Sequence, residues 1–338
     1  MQSAYESIGF RLLHAGQPKE AVHYSSISER LDSINPAYFE KLYKASIALY
    51  QQQVVQEQQA AIITRFDSTI VALSGALLKI GYHLKGGGAD HVRQLKFTIA
   101  LSDIPLSAHF FYEQPYTSEN VALKEAILHS VQPERTNAIR VFDRGITSRK
   151  TYDDFIEKKI PFITRINTQS NYEELLPNIL QKPLDTSTLT VTSDNWAYLF
   201  SKKVRSKHPL RLIRAVKKSS GEELVFATNI ADLSTEVVTI LYKRRWDIEV
   251  FFKFLKQELN FSHLINRSEN GIQILLYTTM IAAILLLLYK KVNNLSGYKI
   301  MKHQFIHELE TALIKDFILL CDGNPELVEQ LFNKPPPL

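Results

Sequence analysis

The segment Leu241–Leu259, LYKRRWDIEVFFKFLKQEL, places a carboxylate among arginines, lysines and large aromatic residues. On a helical wheel, four of its polar side chains share an arc of about 60°: Tyr242, Arg245, Glu249 and Lys256. Such a stripe can be a solvated helix face with weak ion pairs. It can also do chemistry, because a carboxylate can hold a metal over a scissile phosphate while flanking cations bind the neighbouring phosphates.

A metal needs more than one carboxylate, and Asp67 and Asp143 are the best further candidates. Each follows an apolar, strand-like run, IITRF and AIRVF, and each precedes small or turn-forming residues. Two such strands side by side would bring the aspartates together at one sheet edge, although either residue could instead cap a turn. Carboxylates about 4 Å apart repel by roughly 4 kcal/mol in a protein-like dielectric, and divalent cations remove that repulsion. Oxygen ligands favour Mg²⁺ or Mn²⁺ over zinc.

The elements that position these side chains can be predicted from hydrophobic periodicity. VRQLKFTIAL and PLSAHFFYEQ read as two strands around a turn, and a helix capped by Ser118 follows, with Glu119 in its first turn. The strand before Asp143, a helix over 148–159 and the strand PFITRIN come next. An antiparallel pair followed by alternating helix and strand predicts a mixed α/β sheet.

The sequence pattern changes over residues 170–233. Short strand-like runs there are broken by Lys, Ser and Gly, which predicts a β-rich insertion. Ser234 is then predicted to begin one long helix that contains the segment Leu241–Leu259. The chain therefore divides into five predicted regions: helical N-terminal region 1–60, first part of the core 61–169, insertion 170–233, core helices 234–292 and helical C-terminal region 293–338.

Bulk composition narrows the class of protein. The chain has 338 residues, 45% hydrophobic and 22% charged, which is typical of a globular protein with a sizeable core. A net charge of +5 and a pI near 9.0 favour an anionic partner without proving one. A single cysteine, Cys321, excludes intramolecular disulfides and zinc sites built on several thiolates. The first residues do not resemble a secretory signal, so a cytoplasmic location is expected.

One apolar run, residues 272–289, approaches the length of a membrane span. Gln273 and the Thr278–Thr279 pair interrupt it, and a span usually needs about 20 apolar residues. The sequence favours a buried core helix and no membrane contact, with a membrane protein as the alternative. A cluster of cations in the insertion is usually a solvated surface but could follow phosphates: Lys202, Lys203, Arg205, Lys207, Lys217 and Lys218.

These residues together resemble a known family. The stripe on Leu241–Leu259 matches the Y-x2-R-x3-E-x6-K signature of bacterial insertion-sequence transposases of the DDE type, in the group called "IS four". Asp67 in FDST and Asp143 in VFDRG occupy the places of that family's first and second catalytic aspartates. The resemblance spans about residues 60–290.

The resemblance implies a ribonuclease H-like core in which Asp67, Asp143 and Glu249 bind two Mg²⁺ or Mn²⁺ ions. Water or a DNA 3′-hydroxyl would attack phosphorus by in-line displacement, and members of the family often cut through a DNA hairpin. The implied partners are double-stranded transposon ends and target DNA, held by a dimer when two ends are paired. The helical N-terminal region would be compatible with end binding.

The resemblance also implies roles for individual DNA-binding residues. Arg245 and Lys256 would hold phosphates, and Tyr242 could donate to one. Trp246, with Trp196 as a second candidate, could stack on an unstacked base, and core packing is the alternative for both.

Some features depart from the family pattern. The second motif often ends in an aromatic residue, and Ile146 stands there instead. Only 66 residues precede Asp67, so an N-terminal DNA-reading domain is expected to be short or absent. The alternative functions are a metal-dependent nuclease without strand transfer and a non-catalytic DNA-binding descendant. The latter predicts loss of a carboxylate, and all three are present.

Overall fold

A mixed β-sheet forms the centre of the chain in a computed structural model. The structure describes residues 24–54, 63–73, 82–83, 93–130, 137–175, 180, 182–201, 204–261, 266 and 268–326. The strands in this part of the chain are β1 Ile63–Leu73, β2 Tyr82–His83, β3 Arg93–Leu101, β4 Pro105–Phe111, β5 Ile139–Phe142, β6 Phe162–Ile166, β7 Tyr172–Glu174, β8 Leu184–Asp185, β9 Leu189–Ser201, β10 Val204–Arg205, β11 Leu210–Lys217 and β12 Glu223–Thr228.

Helices lie before, between and after these strands. They are α1 Tyr24–Ser33, α2 Pro36–Gln53, α3 Glu119–His129, α4 Arg149–Glu157, α5 Thr235–Lys243, α6 Trp246–Glu258, α7 Glu269–Val292 and α8 Tyr298–Leu320, with a 3₁₀ turn at Gln114–Thr117. The described parts of the N- and C-terminal regions are thus helical, as predicted. Residues 1–23, 55–60 and 327–338 of those regions lie outside the described residues.

The strand order is β10-β9-β11-β12-β6-β5-β1-β3-β2, with β4 on β3 and both β7 and β8 on β9. The three central strands β1, β5 and β6 are parallel, and their flanks are antiparallel. Helices α3 and α4 precede and follow β5, as parallel crossovers require. The predicted mixed α/β sheet is confirmed.

The predicted β-rich segment is built of strands that extend this same sheet. β12 pairs antiparallel with β6, from Val225↔Ile166 to Thr228↔Ile163, and β11 and β9 follow outward. In β12, the five residues Leu224–Thr228 are all buried, which is typical of a strand covered on both faces. The division into five regions remains a prediction, and the boundary at residue 170 falls within a continuous sheet.

Strand β1 differs from its prediction in length. Asp67 was expected just beyond a strand end, but β1 continues to Leu73 because β3 pairs with it from Arg65↔Leu101 to Leu73↔Arg93. The parallel pairing with β5 does end at Phe66↔Phe142. Asp67 therefore lies where β1 loses its neighbour on one side only.

The predicted long helix after Ser234 is wrong in one respect: it is two helices, α5 and α6, separated at Arg244 and Arg245. Ser234 caps α5 as expected, since its hydroxyl accepts from the Val237 N–H at 3.3 Å. At the break the backbone tightens to i→i+3 bonds, with the Arg245 N–H donating to the Tyr242 carbonyl at 2.9 Å. The Arg244 carbonyl also accepts from the buried side chain of Arg65, which favours this tighter turn.

Helix α7 lies in the largest apolar cluster. Its buried residues, including Ile272, Leu276 and Met280, share that cluster with residues of α2, β3 and α6. By length and composition α7 could cross a membrane, and half of its most apolar stretch is buried inside the protein. Its packing is that expected of the predicted core helix.

Candidate active site

The two predicted aspartates lie side by side. The parallel register pairs Phe66 with Phe142, so the next residues, Asp67 and Asp143, face each other across neighbouring strands. Local hydrogen bonds orient each carboxylate. Asp67 Oδ1 accepts from the Ser68 N–H and Asp143 Oδ1 from the Gly145 N–H, both at 2.8 Å.

Gly145 is required by close packing at this point. A Cβ at this position would lie 2.9 Å from Asp143 Oδ1 and 3.1 Å from the Cβ of Glu119. Both distances are shorter than ordinary contact, so any larger residue would displace the carboxylate or helix α3. The glycine of the Asp-Arg-Gly motif therefore lets α3 approach Asp143.

Two neighbouring cavities contain the predicted site residues. A cavity of about 400 Å³ is lined by Asp67, Ser68, Thr69, Glu249, Phe252, Lys253, Lys256 and Gln257. A second cavity, of about 200 Å³, is lined by Asp143, Arg144, Arg165, Glu222, Tyr242 and Arg245. Arg245 Nη2 donates to Glu249 Oε1, so one ion pair at the start of α6 connects the two cavities. The helix break places Tyr242 and Arg245 at the smaller cavity, and Glu249 and Lys256 at the larger one.

The smaller cavity has the character of an anion site. Arg165 and Arg245 each carry a buried Nε that has no hydrogen-bond acceptor within the described residues. The Arg165 side chain is only partly neutralised, by Glu222 at 3.3 Å. Burial raises the pKa of Tyr242 to about 12, so its phenol stays protonated and can donate. Guanidinium N–H groups and a phenol converging on one cavity suit a phosphate.

Burial raises the pKa of Asp67 to about 7, and the charges of Asp143 and Glu119 act in the same direction. The Ser68 N–H and Arg245 oppose this rise. Asp143 and Glu119 thus add negative charge beside the buried Asp67, which is the situation that a divalent cation relieves.

Comparison with known proteins agrees with this geometry. A family model described as "Transposase DDE domain" matches residues 60–285. The chain belongs to this family. The match includes Asp67, Asp143 and Glu249, and the predicted ribonuclease H-like α/β fold is confirmed with it.

Relatives of this DDE domain carry the same kind of name. A Sinorhizobium fredii protein named transposase y4zB is 28% identical over 52% of the chain and 50% of its own length. A Geobacillus stearothermophilus protein named as a transposase for insertion sequence element IS5377 is 31% identical over 46% and 41%. A Synechocystis protein named as a transposase for insertion sequence element IS4SA is 24% identical over 93% and 88%. The chain spans half or less of the first two relatives and most of the third.

DDE domains generally depend on divalent metal, and the donor set here fits one. Asp67, Asp143 and Glu249 supply only carboxylate oxygens, the ligands that Mg²⁺ and Mn²⁺ prefer. In the described part of the chain, no three His, Cys, Asp or Glu side chains already surround one point. At this site, Glu249 accepts a hydrogen bond from Arg245. It would have to exchange that partner for the cation.

Two of the remaining predicted DNA contacts, Trp246 and Lys256, lie on helix α6. Trp246, the first residue of α6, is 61% exposed, so its indole is not part of the core. Lys256 lines the larger cavity and has no ion pair within the residues described. Trp196 is half-buried in β9. Of these two tryptophans, Trp246 therefore has the indole more available for a nucleobase.

The basic cluster of the 170–233 segment is largely paired with acids. Four of its members lie within ion-pair distance of a carboxylate: Arg205 with Glu173 at 3.6 Å, Lys207 with Glu157 at 3.1 Å, Lys217 with Glu222 and Lys218 with Asp185 at 3.0 Å. Lys202 and Lys203 lie outside the described residues. This pairing makes the cluster a weaker phosphate site than its sequence suggests.

Sequence reasoning missed several residues at the site. Arg165 resembles any charged residue on a strand, and only the sheet order brings it beside Asp143 and Arg245. Glu119 was predicted only as a first-turn acid of α3. It accepts from the buried Lys96 ammonium at 2.9 Å and from the Ser68 hydroxyl at 3.2 Å, directly behind Asp67. The sequence did offer one signal for this contact. Lys96 stands between apolar residues in the predicted strand β3, and a buried lysine needs an acidic partner.

Proposed function

We propose that this chain is an insertion-sequence transposase of the group with the Y-x2-R-x3-E-x6-K signature, which cuts and joins double-stranded DNA. The observation that carries the proposal is the register of β1 and β5, which sets Asp67 beside Asp143, together with the cavity that Asp67 shares with Glu249. Asp67, Asp143 and Glu249 would hold two divalent ions.

When bound, Mg²⁺ or Mn²⁺ would activate water or a DNA 3′-hydroxyl and stabilise the leaving oxygen. The protein's own groups do the rest. Arg245, Arg165 and Tyr242 bind a phosphate in the smaller cavity, and Lys256 binds one in the larger cavity. A strand held at both cavities would present the intervening phosphodiester to the carboxylates in a fixed orientation.

Other parts of the proposal follow from the same surface. Trp246 is exposed at the start of α6, next to Arg245, and would stack on a base that leaves the duplex near the cleavage point. Pairing of two DNA ends would require two copies of the chain. We expect the protein to act on DNA in the cytoplasm.

The test is incubation of the purified chain with a supercoiled donor plasmid that carries the inverted repeats flanking its gene. Parallel reactions contain Mg²⁺, Ca²⁺ or EDTA, and the variants are Asp143→Asn and, as a matched acid far from the site, Asp185→Asn. An excised element and a joined product with Mg²⁺, lost in Asp143→Asn and kept in Asp185→Asn, are expected.

Two other outcomes would replace the proposal. Nicking without any joined product would indicate a metal-dependent nuclease. Binding to the repeats without cleavage, unchanged by Asp143→Asn, would indicate a non-catalytic DNA-binding descendant.

A further inference from the structure

Arg65 is a buried arginine that connects the strand of Asp67 to the helix of Glu249. It lies two residues before Asp67 on β1, and therefore on the same face of the sheet. Its Nε donates to the Arg244 carbonyl at 2.7 Å and its Nη1 to the Ser102 carbonyl at 2.9 Å. Its Nη2 donates to Asp247 Oδ2 at 2.7 Å. One guanidinium thus joins β1, the end of β3 and the break between α5 and α6.

The geometry of this group is restrictive. The side chain of Arg65 is 3% exposed, whereas that of Asp247 is 53% exposed, so the arginine is fixed in the interior and the carboxylate reaches in from the surface. Burial lowers the pKa of Arg65 and Asp247 opposes that effect. A planar fork with three of its N–H groups engaged has few other orientations, and a buried guanidinium is costly unless these acceptors stay in place.

The acceptors are next to the residues proposed to do chemistry. Asp247 and Glu249 both lie in the first turn of α6, and the Arg244 carbonyl immediately precedes Arg245, the partner of Glu249. A rotation or a shift of α6 that moved Glu249 away from Asp67 would also break the contacts of Arg65. The orientation of the glutamate is therefore linked to the strand of the aspartate through one side chain.

We propose that Arg65 is a positioning residue for Glu249. It holds α6 in the register at which the carboxylates of Asp67 and Glu249 face one cavity and can share a divalent cation. This inference rests on the proposed function, because it assumes that these carboxylates are the metal ligands.

The competing explanation is a purely structural anchor, and the chain offers a matched example. Arg211 is also buried, forms a two-pronged pair with Asp194 at 2.8 and 2.6 Å, and donates to the Leu233 carbonyl at 2.6 Å. It secures the segment before α5, away from the two cavities. Arg211→Lys therefore measures what the loss of such a fork does to stability alone.

The experiment compares full-length wild type with Asp247→Ala, Asp247→Asn, Arg65→Lys and Arg211→Lys. Mn²⁺ binding is measured by titration of the free-ion EPR signal, alongside thermal unfolding, affinity for the repeat DNA and single-turnover cleavage. Asp247→Ala and Arg65→Lys should weaken Mn²⁺ binding about tenfold and slow cleavage by about ten- to a hundredfold, with DNA affinity changed less than about threefold. Asp247→Asn should recover most of both, because its amide oxygen can still accept from Arg65. Arg211→Lys should lower thermal stability and keep Mn²⁺ affinity.

Wild-type Mn²⁺ affinity and cleavage in Asp247→Ala would overturn the inference, whatever happens to stability. Asp247→Ala tests the inference even if Arg65→Lys does not fold, because the Asp247 side chain is half exposed and its removal disturbs the core less. A wild type that binds no Mn²⁺ and cleaves no DNA would instead refute the proposed function.

Discussion

At the scale of single residues, the carboxyl group of Asp67 determines a pH dependence. Burial raises its pKa to about 7, above the roughly 3.9 of an unfolded chain. Between these values the folded protein keeps a proton that the unfolded chain has released, so this group makes the metal-free protein less stable as pH rises from about 4 to about 7.

Asp67→Asn should therefore raise the free energy of unfolding of the metal-free protein by about 1–3 kcal/mol at pH 8, with the gain vanishing near pH 4. Denaturant unfolding in EDTA across this range measures the effect. Asp185→Asn is the control of opposite sign, because Thr190 and Lys218 lower the pKa of the exposed Asp185. Equal stability of Asp67→Asn and wild type at pH 8 would show that the ionised Asp67 carboxylate does not destabilise the folded protein.

Gly145 allows a second residue-scale prediction. Gly145→Ala places a methyl group 2.9 Å from Asp143 Oδ1 and 3.1 Å from the Cβ of Glu119, so the Asp143 carboxylate or helix α3 must move. Single-turnover DNA cleavage should fall about tenfold or more with DNA affinity retained. Ser148→Ala, in the same loop and without a side-chain capping bond, should cleave as wild type does. Full activity of Gly145→Ala would mean that the Asp143 carboxylate has room to adjust.

At the scale of elements, only one of two serines predicted as helix caps forms a side-chain capping hydrogen bond. The Ser234 hydroxyl accepts from the Val237 N–H, whereas Ser118 has no side-chain bond at the start of α3. Ser234→Ala should lower the free energy of unfolding by about 1 kcal/mol and Ser118→Ala by much less. Chemical denaturation of the two variants side by side tests this, and equal losses would contradict the assignment.

Much of the element scale could be predicted from sequence because its causes are local. Apolar, strand-like runs predicted β3, β4, β6, β9, β11 and β12, and Ser234 marked a helix start. The two errors have distant causes. Strand β1 continues beyond Asp67 because β3 pairs with it as far as Leu73. The predicted long helix breaks where Arg65 binds the Arg244 carbonyl. The partners of Arg65 are 37, 179 and 182 residues away in the chain, beyond any local pattern.

At the scale of the whole molecule, the order of strands decides which acids and cations meet. The residues Asp67 and Asp143 could be paired in advance, since the ends of neighbouring parallel strands share an edge. Arg165 could not, because its place depends on β6 lying next to β5 and on Tyr242 of α5 lining the same cavity. The acids of the site could therefore be predicted from the sequence, whereas the smaller, anion-binding cavity is assembled only by the tertiary fold.

Helix α7 tests the packing of the whole molecule, because it is apolar enough to suit either a protein core or a membrane. Met280 is fully buried, whereas Leu285 is 36% exposed on the same helix. In a core helix, Met280→Asp leaves an unpaired buried charge and should prevent folding, while Leu285→Asp places its charge in water and should cost little.

A membrane span predicts a different result, since a charge near its centre costs about 2.5–3.5 kcal/mol on either face. Detergent-free expression followed by thermal unfolding distinguishes the two. Folded Leu285→Asp beside aggregated Met280→Asp is expected, and equal damage by both substitutions would contradict the core assignment.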